Sequence, residues 1–166
     1  MKVIFLDIDG VLNSEESMRE LGMGNFWSDN PHPMHIRWLN KIIEETGAVV
    51  VISSTWRHGM SSTNMWRLLH LLGFRGTVID NTPRLNSAFR GTEIKAWLNI
   101  HIDKFIKYGN SDSLASHNCK EQVESFVILD DDSDMLDLTS HLVLVDSLKG
   151  LTEEDANKAI EILNFQ

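Results

Sequence analysis

Five short apolar runs punctuate the chain: VIFL at 3–6, AVVVI at 48–52, TVI at 77–79, FVIL at 126–129 and LVLV at 142–145. They are rich in Val and Ile and do not alternate with polar residues, the pattern of parallel strands covered on both faces. Stretches of helical period lie between them. HIRWLNKIIEETG places Ile36, Leu39, Ile42 and Ile43 on one face and stops at Gly47. TNMWRLLHLLG stops in the same way at Gly73. TEIKAWLNIHIDKFI opens at Thr92, a residue type that caps helices. LTEEDANKAIEIL opens at Thr152 with acids in its first turn and turns Ala156, Ala159, Ile160 and Leu163 inward. Strands alternating with helices predict an α/β fold: a Rossmann-like three-layer α/β/α arrangement around a mostly parallel five-stranded sheet with right-handed crossovers. Residues 109–118 (GNSDSLASHN) read as a surface loop, and 14–31 show no clear period. No repeat, low-complexity tract or linker divides the sequence, which predicts one domain over 1–166.

Composition narrows the setting. The 166 residues are 42% apolar, ordinary for a globular protein with a sizeable core. No apolar run approaches the roughly 20 residues needed to span a bilayer. The apolar run after Met1 and Lys2 ends at Asp7, too short for a signal-peptide core of about 7–15 residues. These features predict a cytoplasmic protein with no membrane contact. The single cysteine, Cys119, rules out an internal disulfide and a multi-cysteine zinc site.

The net charge of -9 argues against a general nucleic-acid coat. The charge is uneven, however. Residues 57–95 hold six basic residues against Asp80 and Glu93, a net of +4, while 121–166 hold twelve acids against Lys149 and Lys158, a net of -10. A locally basic stretch in an acidic protein suits an anionic ligand, although solvated helix faces produce the same counts.

The candidate chemistry lies at the strand ends. In an open parallel sheet, ligands bind beyond the carboxyl ends of the strands. Asp7, Asp9 and Gly10 follow the first run, and Ser53, Ser54, Thr55 and Arg57 follow the second. Asp130, Asp131, Asp132 and then Asp134 follow the fourth, and Arg90 stands just ahead of a helix. An Asp-Gly pair alone is a common turn, and an acidic run alone is a common helix start. Acids, hydroxyls and a cation after several buried strands are hard to explain by solvation.

The pattern resembles the haloacid dehalogenase (HAD) superfamily, whose members are mostly phosphatases. Four segments carry the resemblance: DxDGVLN at Asp7–Asn13, the strand ending in Ser53, Arg90 in RGTEIKAWL, and VILDDDSDM. With ISSTWR and the closing GLTEEDANKAIEIL, they look most like the small HAD domains of RNA-repair proteins and of phage or bacterial relatives.

The resemblance implies roles that elementary chemistry supports. Asp7 is expected to be the nucleophile, forming an aspartyl-phosphate. Asp9 is expected to protonate the leaving oxygen and then activate water. Gly10 lets the backbone turn so that the pair faces one site. Carboxylates repel a phosphate dianion by roughly 4 kcal/mol per charge pair at 4 Å and an effective dielectric of 20. A divalent cation reverses that sign, and an all-oxygen ligand set selects Mg²⁺. The resemblance implies Asp7, the Asp9 carbonyl and Asp131 as its ligands, with Asp130 the alternative to Asp131. Asp134 is expected to brace a ligand or cap the following helix. Ser53 or Ser54 is expected to donate to a phosphoryl oxygen, and Arg90 to offset its charge, with Lys95 a competing cation.

Other residues stay open. Arg57 is expected either to touch substrate phosphate or to form a structural ion pair. Trp56 is a candidate to stack on a base, and His58 to touch substrate. His32 and His35 have metal-pair spacing, but only Asp29 is close in sequence. Too few residues separate the motifs for a full cap domain. The expected product is a Mg²⁺-dependent phosphomonoesterase with an open site. Its expected partner is a small phosphorylated substrate or a nucleic-acid end, with no stable protein partner. Its rivals are a receiver-like signalling module, a binding subunit without turnover, and a phosphotransferase.

Overall fold

The computed structural model describes residues 1–21, 30–86, 89–108 and 122–165. Five strands form one sheet: β1 (Lys2–Leu6), β2 (Val49–Ile52), β3 (Val78–Asn81), β4 (Ser125–Asp130) and β5 (Leu142–Leu144). Their order is β3-β2-β1-β4-β5 and every pairing is parallel. The helices are α1 (Glu15–Leu21), α2 (Pro33–Thr46), α3 (Ser62–Leu71), α4 (Arg90–Tyr108) and α5 (Glu153–Asn164).

The continuous apolar runs are explained by cores on both faces. Ile4 and Leu6 of β1, Val50 and Ile52 of β2, and Val127 and Leu129 of β4 enter the core under α2, α3 and α5. Val3, Phe5, Val51 and Ile128 enter the other, with Ile94, Trp97 and Leu98 of α4. Phe5 meets Trp97 edge-on at 5.3 Å. The fold is therefore the expected Rossmann-like three-layer sandwich. No helix among the described residues is long and apolar enough to cross a membrane.

Helix ends show local chemistry at work. Thr152 and Asp155 form a reciprocal capping box at the start of α5. Gly47 ends α2 in the left-handed conformation, at φ 68°. The Thr92 cap expected for α4 is corrected. The helix begins at Arg90, whose N–H donates to Asp134 Oδ2 at 2.8 Å. Asp134 thus caps a helix far behind it in sequence instead of the one that follows. A cap supplied across 44 residues leaves no local signature. The unperiodic stretch 14–31 contains α1, whose start is tied by Ser17 N donating to Ser14 Oγ. The loop expected at 109–118 lies outside the described residues.

His35 joins these parts. Its buried ring contacts Ser14 Oγ at 3.2 Å and Leu151 O at 3.0 Å, and packs against Gly150, where a Cβ would come within 2.5 Å of the ring. Gly150 has φ 71°, so the loop it turns needs glycine both for conformation and for space. Burial lowers the pKa of His35, so the fold favours the neutral ring. The unfolded chain takes up a proton near pH 6.5 that the folded chain resists. Stability from this residue is complete above that pH and lost as pH falls through it. Thermal melts at pH 7 and pH 5 should show a larger acid-induced loss in the wild type than in His35→Gln.

Candidate active site

Register places the site. Leu6 lies level with Ile52 on one side and with Leu129 on the other. The ladder continues one step beyond, since Ser53 N donates to Leu6 O at 2.9 Å and Asp7 N to Leu129 O at 3.0 Å. Asp7, Ser53 and Asp130 therefore leave the sheet side by side. The chain builds outward from β1 through β2 to β3, then crosses back to β4. The ends of β1 and β4 flank that switch point, where a crevice opens.

Asp7, Asp130 and Asp131 each offer a carboxylate oxygen there, all within 4.8 Å of one another. Asp7 is buried, and its Oδ1 accepts from Ile8 N at 2.7 Å. Asp130 is fully buried, and its Oδ1 accepts from Asp132 N at 3.0 Å. Arg90 stands between them, with Nη1 at 2.9 Å from Asp7 Oδ2 and Nε at 3.2 Å from Asp130 Oδ2. Burial and then the Asp7 charge push Asp130 up to about 8, against the opposing pull of Arg90. Asp131 is also raised, by desolvation and by Asp7. Burial opposes the charge on Arg90, but Asp7 and Asp130 outweigh it and raise its pKa. One guanidinium does not neutralise three acids.

Gly10 is where the acidic strand end turns. It has φ 73°, and a Cβ there would lie 2.4 Å from Asp131 Oδ2. Asp131 thus packs on bare backbone. Asp9 points elsewhere: its Oδ1 accepts from Asn13 Nδ2 at 2.9 Å and its Oδ2 from Trp56 Nε1 at 2.9 Å. Asn13 Oδ1 in turn accepts from Gly10 N at 3.0 Å, closing the turn. The cavity over these groups has a volume of about 380 Å³ and is also walled by Glu15, Met18 and Ser147.

The remaining sequence candidates divide. Ser53 and Ser54 are both fully buried. The Ser53 hydroxyl has no hydrogen-bond partner among the described residues. The Ser54 hydroxyl accepts from Trp56 N at 3.3 Å, capping the 3₁₀ turn Thr55–His58. Neither lines the acidic cavity, whereas Thr55 does. Lys95 pairs with Asp137, away from the acids, so Arg90 is the cation the fold brings to Asp7. Arg57 lies in its ion-pair alternative. Its Nη2 pairs with Glu93, and its Nη1 donates to Ser53 O and, at 2.6 Å, to Ser54 O. Burial lowers its pKa despite Glu93. Sequence reasoning missed Glu93 and gave no role to Asn13 or Thr55; Trp56, a candidate to stack on a base, donates its indole N–H to Asp9 Oδ2 in the fold. DxDGVLN already contained Asn13, four residues after Asp9. The Arg57–Glu93 pair had no sequence signal beyond two charges in the basic stretch.

Residues 3–156 match the family model described as the HAD domain in Swiss Army Knife RNA repair proteins. The chain belongs to this family. No curated protein and no solved structure matches the chain. HAD membership accords with phosphatase-type activity, and a cluster of acidic residues, two of them buried, is present.

Gly10→Ala should destabilise the fold by about 1–3 kcal/mol, from left-handed strain plus the clash with Asp131. Urea unfolding of the two proteins measures it.

Proposed function

We propose that this HAD domain is a Mg²⁺-dependent phosphomonoesterase working through an aspartyl-phosphate on Asp7. The convergence of Asp7, Asp130 and Asp131 within 4.8 Å at the sheet's switch point carries this reading. An all-oxygen donor set, left short of positive charge by Arg90 alone, suits a small hard cation. Asp7, Asp131 and Asp130 would hold it with their carboxylates, and Asp9 with its carbonyl. Mg²⁺ there supplies electrostatic relief between the acids and a phosphoryl group.

The chain's own residues do the rest. A carboxylate oxygen of Asp7 attacks phosphorus while the bond to the leaving oxygen breaks. Asp9 gives that oxygen a proton, then takes one from the water that attacks the phosphoryl group. Phosphate leaves and Asp7 is restored. Asn13 and Trp56 hold the Asp9 carboxylate in place between turnovers. Arg90 balances charge on the transferring group, and the buried Ser53 hydroxyl, without a partner among the described residues, stands at the strand end beside Asp7. The relation to RNA-repair domains supports a nucleotide or nucleic-acid terminal phosphate as substrate. The charge of -9 disfavours long polymers.

With Mg²⁺ and phosphorylated oligonucleotide ends, nucleoside monophosphates and sugar phosphates as substrates, Asp7→Asn should lose turnover by more than about a thousandfold. Asp9→Asn should lose about 10²–10⁴-fold while still binding phosphate. A receiver-like or binding module would show no turnover to lose. Wild-type activity retained by Asp7→Asn would end the proposal.

The cation makes a separate prediction. Without it, the folded chain holds a proton on Asp130 that the unfolded chain releases near pH 4. That contribution to stability is lost as pH rises through about 8. Mg²⁺ competes with this proton. The rise in Tm on adding Mg²⁺ should therefore grow between pH 6 and pH 8.5, as read by thermal melts.

A further inference from the structure

Beside the acidic cavity lies a larger one of about 540 Å³, within the size range of ligand pockets. Thr55 and Arg90 stand on the walls of both. A substrate whose phosphate reaches Asp7 can therefore extend past Arg90 into this groove. One wall is the turn carrying Arg57 and His58, and the other carries Arg84, Leu85 and Phe89.

Charge and surface define what fits. Of the two acids of the groove, Glu93 is neutralised, while Asp134 is held through one oxygen and its buried Oδ1 has no partner among the described residues. Glu93 pairs with Arg57 and accepts from Leu85 N at 2.9 Å, and Asp134 accepts from Arg90 N. Arg84 forms no ion pair among the described residues, so its charge is left to the groove. Desolvation and the charges of Arg57 and Arg84 lower the pKa of the neighbouring His58. Next to this cationic surface, Phe89 is 51% exposed and Leu85 39%. A sugar phosphate offers mostly hydroxyls and no aromatic ring to meet them. A base beside a phosphodiester offers both a ring to stack and a charge to pair.

We propose that this groove binds the terminal nucleoside and adjoining phosphodiester of a phosphorylated oligonucleotide end. Phe89 stacks on the base and Arg84 pairs with the second phosphate. The assignment rests on the phosphatase reading for the seat of the terminal phosphate. It limits contact to a short stretch of the strand, which an acidic protein tolerates.

The test is binding of a fluorescein-labelled trinucleotide bearing a terminal phosphate to Asp7→Asn protein with Mg²⁺, competed by the nucleoside monophosphate with the same end. The trinucleotide should bind at least about tenfold tighter. Arg84→Gln or Phe89→Leu, added singly, should each erase most of that preference, with thermal melts checking that they fold. Equal binding of the two nucleotides overturns the proposal, as does an equally charged phosphoserine peptide binding as tightly or a preference unaffected by either variant. Turnover by the wild type reports the phosphatase reading separately. Preference without turnover keeps the groove and removes the hydrolase, and turnover without preference does the reverse.

Discussion

Three carboxylates crowded within 4.8 Å at the end of a buried sheet repel one another, and the fold is organised around tolerating that repulsion. Arg90 answers part of it by bridging Asp7 and Asp130. A raised proton affinity on Asp130 answers another part. The rest is structural. Two neighbouring level strands, β1 and β4, deliver the acids, and an α4 start capped by Asp134 delivers the arginine. Left alone, such a cluster destabilises the protein. It makes sense as a place where outside positive charge is to be received.

Much of this was legible in the chain. Unbroken Val/Ile runs announced a sheet buried on both faces, and the observed strands begin and end within a residue or two of them. Acids placed directly after the first and fourth runs had to share one edge once the sheet was parallel. What stayed hidden depends on contacts between distant segments. Asp134 as the cap of α4, Trp56 as a donor to Asp9 and Glu93 as the partner of Arg57 each join residues 36 to 47 positions apart. No periodicity encodes such pairs. α1 escaped notice because its start rests on a Ser14–Ser17 exchange and not on an apolar stripe.

The ion pairs are unequal in weight. Exposed couples such as Lys158–Glu154 on α5 contribute little, because water screens them. Arg57–Glu93 is nearly enclosed and also anchors the Leu85 backbone. Breaking such a pair leaves an unpaired buried charge, which is far more costly than never having had it. It fixes part of the wall of the larger cavity.

The carbonyl of Ser53 receives hydrogen bonds from both Arg57 and Arg90. That one oxygen anchors both guanidiniums, so the arginine paired with Glu93 and the arginine held against Asp7 are fixed to the same point just beyond β2.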